Sequence, residues 1–254
     1  MGEHISAIYE RNDVKIRELE GMEEYKGFWA GAGLRTDLSG VTEITENGIK
    51  YTVDYINGQK TGFFLDQKYN RQAIRRIAEG RTVLDCFTHT GSFALNAAAA
   101  GAKSVTAVDI SADAIEMTRR NAEQNGFTNV EFRQADVFDL LTELYRAGGH
   151  PYDFIILDPP AFTKSSSTVR AAERGYKEIN LKAMRLLPRG GYLATCSCSH
   201  FMTETLFRHM LHDAATDAGV SLRQIEARRQ APDHPILWNV PETDYLKFYI
   251  FQVV

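Results

Sequence analysis

The sequence predicts an α/β protein, a doubly wound and mostly parallel sheet of seven strands with an N-terminal β-hairpin extension. Three observations predict it. Apolar runs at 82–87, 104–109 and 152–157 are too short for helices and too continuous for half-exposed strands, which suits buried parallel strands. Segments with helical spacing separate the runs, the order expected of crossover units. Asn47-Gly48 is a strong type I′ turn signal, and Ile49, Tyr51, Val53 and Tyr55 alternate after it.

In chain order, residues 10–26 are rich in charge and poor in apolar anchors, and read as a solvated arm. The hairpin follows from Val41. A loop over 58–67 leads to a helix over 68–79, with Ala73, Ile74 and Ile77 at core spacing. The strand 82–87 turns through a loop at Gly91 into the alanine-rich helix 92–100, closed by Gly101. Strand 104–109 comes next, and Ser111 caps a helix running to Gln124, stopped by Asn125-Gly126. Strands at 130–133 and 152–157 follow, the latter almost wholly apolar and therefore central. A helix over 172–187, a strand over 191–196, a helix over 203–218 and strands over 221–227 and 245–253 complete the pattern. Residues 228–244 carry no regular signal. Loops of that length are usually functional or disordered, and Arg228, Arg229, His234 and Trp238 favour function. The expected division is an arm and hairpin extension over 1–57 and a main domain over 58–254.

The 254 residues are 44% hydrophobic and 24% charged, enough for one α/β core without covalent staples. Cys86, Cys196 and Cys198 cannot all pair and show no metal-ligand spacing, which points to a reducing cytoplasm and no metal. Neither a signal peptide nor a membrane span is expected. A net charge of −4 argues against coating by nucleic acid over the whole surface, yet leaves room for a local basic face.

Asp85, Asp109 and Asp136 close three successive strands. A carboxylate after the second strand suits a ribose, whose two hydroxyls can both donate to it. One near the third strand can face an adenine amino group, and the first sits where an ammonium- and sulfonium-bearing chain would lie. A single such residue is ordinary polar-loop chemistry, but three in register are not. The fingerprint G-x-G-x-x-G is absent, which argues against a pyrophosphate ligand and for S-adenosylmethionine.

The stretch from Asp85 to Phe93, Val108-Asp109-x-Ser111, Ala135-Asp136-Val137-Phe138 and Asp158-Pro159-Pro160-Ala161-Phe162 resembles the class I S-adenosylmethionine-dependent methyltransferases, whose sheet is Rossmann-like. The wider pattern from Lys60 to Lys247 resembles one branch, the large-subunit ribosomal RNA cytosine carbon-5 methyltransferases. The run from Lys60 to Gln67, Gly175-Tyr176-Lys177-Glu178-Ile179-Asn180, Ser197-Cys198-Ser199 and the run from Arg229 to Pro235 carry that resemblance. The segment from Glu10 to Met22 is similar to the branch's interdomain stretch. Its members typically begin with an RNA-binding PUA domain, for which this chain has no room. The resemblance implies S-adenosylmethionine as cofactor, with Phe64, Gln67, Asp85, Phe87, Thr88, Gly91, Asp109, Ile110, Asp136, Val137 and Asp158 around it. It also implies RNA, large-subunit ribosomal RNA in that branch, as partner.

The Pro159-Pro160 pair stiffens the loop after the central strand, and Phe162 offers a ring to a flipped base. The third position after Asp158-Pro159-Pro160 is Ala161, so the Asp-Pro-Pro-Tyr form that serves exocyclic amino groups is absent. Cytosine carbon 5 needs activation by a thiolate added at carbon 6. Cys196 and Cys198, two apart on a strand, can share a face. Cys198 lies in the loop and matches the branch's Ser-Cys-Ser, with Asp158 as its partner in catalysis, while the alternatives are Cys196 or neither cysteine. His200 is either a proton carrier or a structural or RNA-facing group.

Between 161 and 190, Lys164, Arg170, Arg174, Lys177, Lys182, Arg185 and Arg189 face only Glu173 and Glu178. This excess beside the catalytic loop suits phosphate contacts. Lys164, Arg170, Arg174 and Lys177, with Pro159, Phe162, Arg229 and His234, form the expected RNA surface. Two rivals remain: a methyltransferase for another nucleobase position or a small molecule, and a non-catalytic RNA-binding or ribosome-assembly module. The oligomeric state is open, a homodimer included.

Overall fold

The charge-rich residues 10–26 are mostly exposed, as expected, but they are ordered rather than an irregular arm. Tyr9–Asn12 (β1) pairs antiparallel with Tyr25–Phe28 (β2), with the short helix Ile16–Leu19 (α1) between them. The cause is aromatic and distant in sequence. The rings of Tyr9, Phe28 and Tyr55 meet edge-on, with centroids 4.9, 5.7 and 6.4 Å apart, each pair worth about 0.5–1.5 kcal/mol beyond burial. Arg11 adds hydrogen bonds to the carbonyls of Tyr55 and Gly58. Val41–Glu46 (β3) and Ile49–Asp54 (β4) form the expected hairpin. Asn47 and Gly48 take φ of 53° and 79°, the left-handed pair that a type I′ turn requires, and Ile49, Tyr51 and Val53 are buried.

The computed structural model describes residues 5–31, 33–163 and 165–254. Its contacts divide the chain into two units, one within the residues up to Phe64 and one of Asn47–Ile49 with Leu65–Val254.

The second unit holds the large sheet. Its elements are Lys68–Ala78 (α2), Thr82–Cys86 (β5), Ser92–Ala99 (α3), Ser104–Asp109 (β6), Ala112–Gln124 (α4), Val130–Gln134 (β7), Val137–Ala147 (α5), Phe154–Leu157 (β8), Val169–Leu186 (α6), Tyr192–Ser197 (β9), Glu204–Ala218 (α7), Leu222–Arg228 (β10) and Lys247–Val253 (β11). The strand order is β10-β11-β9-β8-β5-β6-β7. Pairing is parallel from β9 to β7, and β11 runs antiparallel to both β9 and β10. Chain order reverses between β5 and β8, so their carboxyl ends flank the crevice where such sheets bind ligands.

Strand alternation divides the core. Leu84, Cys86, Ile155, Leu157 and Leu193 pack with α5, α6 and α7 on one face, while Val83 and Asp85 point to the other. Phe93 of α3 and Phe248 of β11 stack with centroids 6.0 Å apart. Helix α5 had no counterpart in the sequence reading. Asp136 caps it by accepting from the amides of Phe138 and Asp139, and Val137, Leu140 and Leu141 are buried. Among the described residues no helix is long and apolar enough to cross a membrane.

Candidate active site

The loop after β5 is strained. Phe87 and His89 take φ of 64° and 52°, and Gly91 takes 81°. Left-handed non-glycine residues cost of order 1–3 kcal/mol each and persist where surrounding contacts force them. Here α4 supplies those contacts. Thr118 Oγ1 donates to the carbonyl of His89 at 2.9 Å and Asn121 Nδ2 to that of Thr90 at 3.0 Å. A Cβ on residue 91 would lie 2.6 Å from Thr118 Cγ2, so only glycine fits.

Asp85 lies beneath this loop, 0% exposed. Its Oδ2 accepts from Thr88 Oγ1 at 2.6 Å and the amide of Ala94 at 2.9 Å, while Oδ1 has no partner among the described residues. Burial pushes its pKa up to about 7, and the charges of Asp158 and Asp109 add to that against the hydrogen bonds. Such a carboxyl suits a cationic ligand, which would complete Oδ1 and restore the charge.

Asp109 braces the loop from β6. Its Oδ2 accepts from the amide of His89 and Oδ1 from that of Ser111, both at 3.0 Å. Each oxygen keeps a second lone pair. Ile110, next in sequence, is 65% exposed. Asp136 is exposed and uses Oδ1 for the cap of α5, whereas the Val137 side chain belongs to the core.

Asp158, at the end of β8, meets a buried polar group. Gln67 Nε2 donates to its Oδ1 at 3.1 Å and the Cys196 thiol donates to the same atom at 3.0 Å. Asn70 in turn donates to Gln67 Oε1 at 2.7 Å. Burial holds Asp158 at about 6, well above an ordinary carboxyl, and the bond from Cys196 works against that rise. Cys196 is 1% exposed, and burial and Asp158 push its thiol well above the usual range. Cys198 is half-buried. Pro159 is buried, and the Phe162 ring lies against Tyr176, Phe138 and Phe87 at 4.6, 5.8 and 6.4 Å.

Beyond β9, a cavity of about 320 Å³ opens between the start of α7 and the segment 229–244, walled by His200, Glu204, Trp238, Asp244 and Lys247 among others. The segment is irregular but braced. Arg229 bridges Glu204 at 2.7 Å and also binds Asp244. Ala231 N donates to the Asp66 carbonyl, and Tyr245 OH to its carboxylate. His234 Nδ1 lies 3.0 Å from Asp233 Oδ1. Trp238 stands on this framework 97% exposed.

The basic run of α6 is less available than its charge suggests. Lys177 pairs with Asp217 at 2.7 Å, Lys182 pairs with Glu178, and Arg185 donates to the Asp217 carbonyl. Arg170 and Arg174 are exposed. Lys164 lies outside the described residues. Phe64 belongs to the first unit, with the Lys60 ammonium 5.0 Å from its ring centre.

Residues 17–251 match the S-adenosylmethionine-dependent methyltransferase family. The chain belongs to that family. This methyltransferase is 47% identical over 243 residues to ribosomal RNA large subunit methyltransferase I of Aeromonas salmonicida (strain A449), covering 95% of this chain and 60% of the relative. The same-named protein of Erwinia tasmaniensis is 45% identical over 250 residues, covering 98% and 62%. The chain thus spans about three fifths of the length of these curated relatives. Among solved structures, a putative S-adenosylmethionine-dependent methyltransferase from Streptococcus mutans superimposes with a TM-score of 0.78 at 25% identity, covering 90% of this chain and 58% of that one.

The methyltransferase's crevice fits its cofactor chemically. An orphaned buried carboxylate oxygen at β5, and a carboxylate with open lone pairs beside an exposed apolar side chain at the end of β6, suit an ammonium, a ribose diol and a flat base. Sequence reading did not find the links from Cys196 and Asn70 into the Asp158 group, or the wall made by Trp238 and Lys247. These contacts join residues far apart in the chain, and the local signals were the length of the irregular segment and its arginines, His234 and Trp238.

Proposed function

We propose that this methyltransferase modifies carbon 5 of cytosine in RNA, large-subunit ribosomal RNA in particular, through a covalent bond from Cys198 to carbon 6 of the base. The observation that carries the reading is the division of labour between the two cysteines at the end of β9. Cys196 is buried with its thiol held on Asp158, which suits a structural donor. Cys198 is half-buried at the strand end, one residue before Ser199 and two before His200 of the cavity wall, which suits a nucleophile.

For the cofactor, Asp85 would take the ammonium, Asp109 the ribose hydroxyls, Ile110 the face of the adenine and Asp136 its amino group. The backbone amide of Val137, in the first turn of α5, would serve an adenine acceptor, because first-turn amides lack partners within the helix. Phe87, Thr88 and Gly91 shape the loop over it. When bound, S-adenosylmethionine supplies an electrophilic methyl group.

Cys198 adds its sulfur to carbon 6 as thiolate. Asp158, with a pKa of about 6, retains enough of the acid form near neutrality to protonate N3 as the ring gains charge. Carbon 5 then has enamine character and accepts the methyl group. Loss of the carbon-5 proton restores the 5,6 double bond and expels the Cys198 thiolate, and N3 returns its proton to Asp158. Trp238 and the cavity beside it suit a neighbouring unstacked base, since every base can stack on an aromatic face. Arg170 and Arg174 suit phosphates. Three cysteines without a disulfide suit a reducing cytoplasm.

RNA carrying 5-fluorocytosine at the target tests the reading. Fluorine cannot leave as the proton does, so the wild-type protein with its cofactor should form a stable adduct, and Cys198→Ala should lose adduct and methylation while still binding S-adenosylmethionine. If Cys196→Ala shows that loss instead, the nucleophile is exchanged. If both variants still methylate, the covalent route is wrong.

A further inference from the structure

Lys247 opens β11, and its Cα lies opposite that of Ser197 in the ladder with β9. The side chain is 5% exposed. Its Nζ donates to the carbonyl of Ser199 at 2.6 Å and to that of Tyr245 at 2.8 Å. It therefore spans the turn Ser197-Cys198-Ser199, from opposite the first residue to the carbonyl of the last. Among the described residues no carboxylate pairs with it. A buried ammonium served only by two neutral carbonyls is costly, and burial brings its pKa down to about 8.

The charges that face this pair come from five directions. Cys198 itself and Glu204 of α7 favour the ammonium, and Arg229 opposes it. Tyr176 of α6 and Tyr245 face the thiol. Cys196 lies behind on β9, held by Asp158, and His200 and Asp244 complete the cavity wall. Glu204 is already shared by Arg229 and the Tyr249 hydroxyl. Of the groups that favour the ammonium, the Cys198 thiol acts most strongly, ahead of Glu204 and Cys196.

We propose that Lys247 is a positioning residue that makes Cys198 reactive, fixing its turn through the Ser199 carbonyl and holding its sulfur as thiolate at neutral pH. A nearby cation is the general means by which a protein lowers a thiol pKa. The two groups titrate as a unit, ammonium with thiolate against amine with thiol. The inference rests on Cys198 being the nucleophile, but its test needs neither RNA nor methyl donor.

The test is alkylation of the native full chain by iodoacetamide as a function of pH, with the modified cysteine identified by mass spectrometry. The thiolate forms a bond to the methylene carbon and iodide leaves, so the rate follows the thiolate fraction. Cys86 and Cys196 are buried and report little. Lys247→Met should raise the midpoint for Cys198 by about one unit or more, slowing alkylation roughly tenfold below both midpoints. Lys247→Gln keeps a donor for the two carbonyls without the charge, and should behave like Met. Lys247→Arg keeps the charge and should preserve the wild-type midpoint. A purely structural clamp gives the opposite ranking, with Gln restoring the midpoint. That result, or an unmoved midpoint in Met or Gln, overturns the proposal. If Met fails to fold, Gln carries the test alone. A shifted midpoint without 5-fluorocytosine trapping would uphold the pairing and reject the nucleophile reading.

Discussion

The Cys196 thiol donates to Asp158 Oδ1 across 3.0 Å, on the same oxygen that Gln67 occupies. This bond lowers the Asp158 pKa against the effect of burial. Removing the donor in Cys196→Ala should therefore raise it above about 6. If protonated Asp158 drives the addition step, the alkaline limb of the single-turnover rate should move to higher pH, while adduct formation at Cys198 persists. A limb that stays in place takes Asp158 out of the proton chemistry.

Asp85 predicts a pH dependence of stability. Its folded pKa of about 7 lies above the ordinary value of 3.8, so the folded state binds the proton more tightly. Its contribution is most favourable below about 4, declines as pH rises from 4 to 7, and is flat above that. The full swing is up to about 4 kcal/mol. Asp85→Asn should remove this slope, seen as Tm against pH without cofactor. Parallel slopes in the two proteins would mean that Asp85 is ionised throughout.

Asp109→Ala should weaken S-adenosylmethionine binding by about 1.5–3 kcal/mol, the range for hydrogen bonds to a charged group. The variant also loses the brace on the His89 amide, so its Tm is to be measured alongside. Calorimetry on a folded variant with unchanged affinity would remove Asp109 from the cofactor site.

RNA binding should separate into two parts. Trp238→Ala should cost about 1–3 kcal/mol for an oligoribonucleotide with unpaired bases, with little change in salt dependence. Neutralising Arg170 and Arg174 together should flatten the slope of log affinity against log salt by about 1.4. Nitrocellulose binding across a salt series reads both. A Trp238→Ala variant of undiminished affinity would assign the cavity to something other than a base.

The parts of the fold legible in the sequence were those set by neighbours in the chain. Ser111 was found as a cap because its hydroxyl needs only the amide of Ala114, and Asn47-Gly48 as a turn because φ alone decides it. The arm was misread because its order comes from Tyr55, more than twenty residues beyond its last strand. The Asp158 group joins Gln67, Asp158 and Cys196 across 91 and 129 positions; the pairing of β8 with β9 brings two of them together, and the turn before α2 brings Gln67. The charge of α6 was legible, but not the partners on α5 and α7 that occupy part of it.

The position of β11 has a consequence in time. It follows every other strand in the sequence, yet lies inside the sheet between β10 and β9, and its first residue is Lys247. During synthesis, β5 to β9 can pair with the strand-end carboxylates in place while the turn at Cys198 still lacks its ammonium. The nascent chain should therefore acquire a place for the cofactor before it acquires a reactive thiol, and the last strand to arrive should complete the chemistry.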